Sequence, residues 1–137
     1  MKFEFRKRLL AGETLIGPML TFAEPAIAEI MVTTGYDWLF IDNEHGAFNA
    51  QGMLPLLQTC GDCPAVIRVP CNEDVWIKKA LDIGAAGIIV PQVNTAEEAA
   101  RAVAFCKYPP QGRRGSASVV PMPMASPSRN TWIRRMR

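Results

Sequence analysis

Four short apolar runs recur along this chain about every 20 to 27 residues, and each is followed by a segment with helical patterning. The runs are Thr14–Met19, Trp38–Ile41, Ala65–Val69 and Gly87–Val90. They are apolar throughout rather than alternating, which is the pattern of strands covered on both faces. The intervening helices are expected over Glu24–Thr34, Ala50–Thr59, Asp74–Ile83 and Thr95–Cys106, with a further amphipathic helix, Phe3–Ala11, before the first strand. Pro25 falls in a first helical turn, where it is tolerated. Gly35 and Gly84 are the expected stops of their helices. Thr95 with Glu98 makes a capping box. Pro55 lies inside its helix and is expected to kink it. Four βα units of this length suit half of a (β/α)8 barrel or a small open parallel sheet. No glycine-rich phosphate loop follows any strand, which counts against a dinucleotide-binding sheet.

The 137 residues suffice for one domain of ordinary size. No apolar run is long enough to span a bilayer, and the charged start lacks the apolar centre of a signal peptide. A cytoplasmic protein is therefore expected. The formal charge of +2 conceals an uneven distribution. Residues 116–137 hold four arginines and no acid, leaving 11 basic against 13 acidic groups before them. A mildly acidic body gives no electrostatic case for nucleic acid, and four arginines without a packed scaffold add little. Cys60 and Cys63 have CxxC spacing. A metal site would need a second pair, and a redox motif normally opens a helix after a strand. This pair closes a helix and precedes a strand, so structural thiols are the favoured reading over a redox role.

The chemistry-bearing residues sit at strand ends. In parallel α/β folds ligands bind outside the carboxyl ends of the strands. The second apolar run ends in Asp42-Asn-Glu44-His45, two carboxylates and the only histidine in the chain. His45 there reads either as a general base with carboxylates to orient it or as a solvated residue capping the next helix. Arg68 lies in an otherwise apolar strand, where an unpaired charge is costly. Its anion is either Asp42 or Glu44, or an anionic substrate such as a carboxylate or enolate. The fourth strand ends in Pro91-Gln92.

Phe40-Ile-Asp-Asn-Glu-His45 resembles the signature of the metal-dependent, class II pyruvate aldolases of the HpcH/HpaI group. Val66-Ile-Arg68-Val-Pro70 with Asn72, Ile77-Lys78 through Ala85, Val90-Pro91-Gln92-Val93 with Ala96–Ala99, and Tyr108-Pro-Pro-Gln-Gly112-Arg-Arg114-Gly115 resemble that group in the same order. The resemblance is collinear from about residue 5 to residue 115. It implies the first four βα units of a (β/α)8 barrel of about 250 residues. It implies cleavage of a 2-keto-3-deoxy or 4-hydroxy-2-oxo acid to pyruvate and an aldehyde. His45 would be the base, Arg68 would stabilise the enolate oxygen, and Asp82, of the same or a neighbouring subunit, would raise the basicity of the histidine. Asp42 and Glu44 would support them. It also implies trimers or hexamers and a divalent cation, Mg²⁺, Mn²⁺ or Co²⁺, that polarises the keto oxygen. The two carboxylates that bind this metal belong to the fifth and sixth strands, so no residue here is assigned to it. The alternatives are a catalytically silent half barrel or interaction protein, and a thioester lyase of the citrate lyase β type.

From Ser116 the texture changes. Residues 116–137 show no helical or strand period and place Pro121, Pro123 and Pro127 close together. Back-translated and read in a shifted frame, this segment resembles the aldolase group's own continuation. The expected domain boundary is therefore at residue 115, followed by an irregular basic tail produced by a frameshift near Gly115.

Overall fold

The computed structural model describes residues 2–115. The tail 116–137, and with it the frameshift expectation, lies outside the described residues. The order of elements is α1 (Lys2–Leu10), β1 (Met19–Leu20), α2 (Pro25–Thr33), β2 (Leu39–Asp42), α3 (Ala50–Cys60), β3 (Ala65–Arg68), α4 (Asp74–Asp82), β4 (Gly87–Ile89) and α5 (Ala96–Cys106). The four strands form one parallel sheet in the order β1-β2-β3-β4. Each new strand joins the same growing edge, and the order never reverses. An open doubly wound sheet reverses at a switch point, whereas a (β/α)8 barrel does not. The sheet is four consecutive strands of such a barrel.

The two faces of the sheet differ as that architecture requires. Leu20, Leu39, Ile41, Ala65, Ile67 and Val69 point outward and are fully buried against Ala28, Met53, Leu56, Cys60, Ile77 and Ala80 of the helices. This side is the hydrophobic core. The register pairs Met19 with Phe40, Phe40 with Val66 and Val66 with Gly87, which sets these residues on the opposite, inner face. That face is only partly covered. Phe5 of α1 packs on Trp38, and Trp38 meets Phe40 edge-on, each at 6.0 Å between ring centroids. Met19 and Ile89 remain exposed.

The expected first strand, Thr14–Met19, is corrected to Met19–Leu20. The chain before it does run beside β2. Asp37 N–H donates to the Ile16 carbonyl, and Phe40 N–H donates to that of Pro18. A regular ladder fails because Pro18 has no N–H to return and the Ile16 N–H is taken by the Asp37 carboxylate at 3.0 Å. Elsewhere the bounds move by one residue, because Glu24 and Thr95 act as N-caps and Thr34 and Ile83 as C-caps. The capping box of α5 is present in both directions. Gly35 and Gly84 follow their helices with φ of 86° and 107°, conformations that L side chains rarely adopt. α3 runs through Pro55 without interruption. Among the described residues no helix is long and apolar enough to cross a membrane.

Candidate active site

The site is built at the carboxyl ends of β2 and β3. Asp42 closes β2, and its Oδ1 accepts the backbone N–H groups of Glu44 (3.1 Å) and His45 (3.3 Å). Gly46 N–H then returns to the Asp42 carbonyl at 3.1 Å. A side chain at Gly46 would run into that carbonyl oxygen and the ring of Phe48. The turn carrying His45 is thus folded around one buried carboxylate.

The same carboxylate holds Arg68, its register partner on β3. Arg68 Nε meets Asp42 Oδ1 at 2.9 Å, and Nη2 meets Oδ2 at 2.6 Å. This bidentate fork is the strongest geometry available to the pair. Glu44 Oε2 adds a contact to Arg68 Nε at 3.2 Å. The guanidinium also lies over the Phe40 ring, 5.5 Å from its centroid. Asp42 is 1% exposed. Its carboxyl is held below the usual range, first by the hydrogen bonds from Arg68, with smaller help from the His45 and Glu44 N–H groups, while burial opposes them. The Arg68 guanidinium is held further above its ordinary range by the hydrogen bond to Asp42.

His45 stands beside this cluster. Its Nε2 lies 3.7 Å from Glu44 Oε2, and its side chain is 69% exposed. Glu44 therefore bridges the arginine and the histidine. Both readings of Arg68 find support: Asp42 and Glu44 supply its anion through Nε and Nη2, yet Nη1 makes no hydrogen bond among the described residues. The cluster presents an imidazole and free guanidinium N–H donors at one mouth. A proton acceptor beside a fixed cation is suited to forming and holding an enolate.

Asp82 is not brought to this mouth within one chain. It ends α4, which leads into the start of β4, so it lies at the opposite end of the sheet. There Arg114 Nη2 holds its Oδ1 at 2.7 Å, and the Arg114 guanidinium stacks 4.8 Å from the Tyr108 ring centroid. The loop that delivers Arg114 turns at Gly112, where a Cβ would press on the Lys107 and Ala104 carbonyls. The structure brings together His45 and Arg68, two of the residues singled out from the sequence, through Asp42, whose double duty the sequence did not signal. The sequence placed Gln92 at the end of the fourth strand but not in the conformation it takes, φ 54° just beyond β4. Nothing in a Pro-Gln dipeptide signals a left-handed backbone.

No three His, Cys, Asp or Glu side chains gather to hold a cation among the described residues. Asp42 and Glu44, the carboxylates nearest the mouth, are engaged by Arg68. None of the four cysteines is in a disulfide; Cys60 is buried in the core, and burial raises the Cys63 thiol, with the Asp37 charge adding to it.

Parallel strands in barrel order, with a carboxylate, arginine and histidine cluster at their carboxyl ends, define a segment of a (β/α)8 barrel. The sequence matches the HpcH/HpaI aldolase/citrate lyase family over residues 17–130, and the chain belongs to that family. It is 44% identical over 114 residues to the 4-hydroxy-2-oxovalerate aldolase of Rhodococcus jostii (strain RHA1), a match covering 81% of this chain and 44% of the relative. It is 44% identical over 113 residues to the hydroxypyruvate/pyruvate aldolase of Roseobacter denitrificans (strain ATCC 33942 / OCh 114), with the same coverage. The crystal structure of an HpcH/HpaI aldolase/citrate lyase family protein from Burkholderia cenocepacia J2315 superposes with a TM-score of 0.79 at 33% identity, over 83% of this chain and 48% of that one. The chain spans about half the length of the relatives it matches.

Proposed function

We propose that this chain is the N-terminal half of a class II pyruvate aldolase barrel, cleaving a 4-hydroxy-2-oxo or 2-keto-3-deoxy acid to pyruvate and an aldehyde. The observation that carries this reading is the Asp42–Arg68 fork beside His45 at the carboxyl ends of neighbouring strands. His45 removes the proton from the 4-hydroxyl in cleavage, or from the pyruvate methyl in the reverse sense. Arg68 meets the oxyanion of the enolate with its uncommitted N–H groups. Asp42 and Glu44 fix both side chains. Asp82 serves the histidine of a neighbouring subunit in a trimer or hexamer, since its own chain keeps it at the far end of the sheet. A divalent cation, Mg²⁺, Mn²⁺ or Co²⁺, would supply polarisation of the keto oxygen when bound, held by carboxylates of later barrel strands outside the described residues. The reaction partners are small molecules, and a cytoplasmic setting suits such chemistry.

Methyl-proton exchange of pyruvate in D₂O with Mg²⁺ or Mn²⁺ tests the reading. Exchange is expected well below that of a whole barrel and absent in His45→Ala. Exchange that survives in His45→Ala overturns the assignment of the base. The proposed frameshift in residues 116–137 has a separate test, since a family match that continues past Gly115 to residue 130 weighs against it. Resequencing the gene from the Tyr108 codon onward gives either one restored frame that runs on through a second half barrel or the tail as written.

A further inference from the structure

Gln92 is the one non-glycine residue with positive φ, at 54°, among the described residues. Such a backbone is strained for an L side chain and persists only where neighbouring structure imposes it. The neighbours here do so. Asn94 Nδ2 donates to the Gln92 carbonyl at 3.0 Å. Asn94 and Thr95 N–H groups both donate to Glu98 Oε2, at 2.8 and 3.2 Å. The Glu98 carbonyl in turn accepts Asn72 Nδ2 of the loop after β3 at 2.8 Å. The loops after β3 and β4 are therefore tied to the first turn of α5, and the tie holds Gln92 in its left-handed conformation.

Register says where this strained residue is delivered. Asp42, Arg68 and Ile89 form one cross-strand row on β2, β3 and β4. His45 lies three residues beyond that row on one side of Arg68, and Gln92 lies three residues beyond it on the other. Gln92 is exposed, and its side chain makes no hydrogen bond among the described residues. A glutamine amide offers N–H donors and a carbonyl acceptor without adding charge. Strain at an exposed polar residue in the loop after β4, the strand that pairs with the one carrying Arg68, marks a residue held for contact with ligand.

We infer that Gln92 is a substrate-contacting residue, its amide hydrogen-bonding the carboxylate or keto oxygen of the 2-oxo acid bound between Arg68 and His45. The inference rests on the aldolase reading of that mouth. The test titrates the whole chain with pyruvate and follows backbone amide signals. Gln92→Gly removes the amide and relieves the strained backbone together, so its thermal midpoint should be unchanged or higher while pyruvate binding weakens about fivefold. Gln92→Glu sets a carboxylate against the ligand's own and should weaken binding on the order of tenfold. Weaker binding at undiminished stability is not what a purely structural residue gives. Equal affinity in the wild-type chain and Gln92→Gly, with binding lost in Arg68→Ala, overturns the role of Gln92 alone. A folded wild-type chain that binds no pyruvate overturns the aldolase reading and this inference with it.

Discussion

Asp42 takes donors from three directions, the Arg68 fork and the N–H groups of Glu44 and His45, from a buried position. It couples the position of the histidine to that of the arginine. Asp42→Asn keeps an acceptor for the two N–H groups but removes the charge facing Arg68. Its expected cost is about 2 kcal/mol at neutral pH, read by urea denaturation. The carboxyl is depressed in the folded protein. Its contribution is therefore complete above the unfolded carboxyl pKa of about 4 and is lost as pH falls through the lower folded value. The wild-type chain should thus lose stability with acid over that window, and Asp42→Asn should lose less. A parallel acid limb in both proteins would show that the fork does not govern this dependence. At Gly46 the constraint is steric. Gly46→Ala drives a methyl into the Asp42 carbonyl and Phe48. It should displace the His45 turn and cost more than an exposed alanine substitution, which calorimetry would register.

At the scale of elements, the strongest signals were those with a local physical cause. The α5 capping box was legible because Thr95 and Glu98 satisfy each other within one turn. Thr95→Ala should cost about 1 kcal/mol and loosen the Asn94 turn beside it. β2 and β3 were legible as unbroken apolar runs, and Arg68 stood out because such a run cannot absorb a lone charge. The first strand was misplaced because its hydrogen bonds are decided by the Pro18 backbone and the distant Asp37 side chain. Asp82 illustrates another gap. A motif names the residue, but the end of the sheet it occupies follows from the direction of α4, and its Arg114 partner is 32 residues away. Pro55 lies in the interior of α3 and cannot donate to the carbonyl of Gln51. Pro55→Ala at this exposed site should raise stability by about 1 kcal/mol, and a lower thermal midpoint would show that α3 is shaped around the proline.

For the molecule as a whole, the asymmetry between the two sheet faces sets the behaviour in solution. The outer face is packed, with Ile41, Ile67 and Ile77 fully buried. The inner face carries Trp38 and Val66 and opens into a mostly apolar cavity of about 410 Å³ that Phe5, Leu9 and Ile89 also line. β1 and β4 each have one neighbour in the described sheet, so each leaves one edge without a ladder. Exposed apolar side chains at the edge strands, Met19 and Ile89, beside edges without a ladder in the described sheet favour association. The chain at neutral pH should therefore bind a hydrophobic dye such as ANS while its helices remain intact, and its sedimentation should depend on concentration. Ile89 is exposed on β4, at both the inner face and the open edge. Ile89→Lys puts a charge at that position, which edges use to resist pairing. The variant should sediment more slowly at high concentration and keep the wild-type circular dichroism. Because Ile89 contributes little to the packed outer core, its replacement should cost less than about 1 kcal/mol of stability. Unchanged sedimentation in Ile89→Lys would move the contact to the β1 edge. There Met19→Lys makes the same test on the other side of the open face, with Met19 more exposed than Ile89.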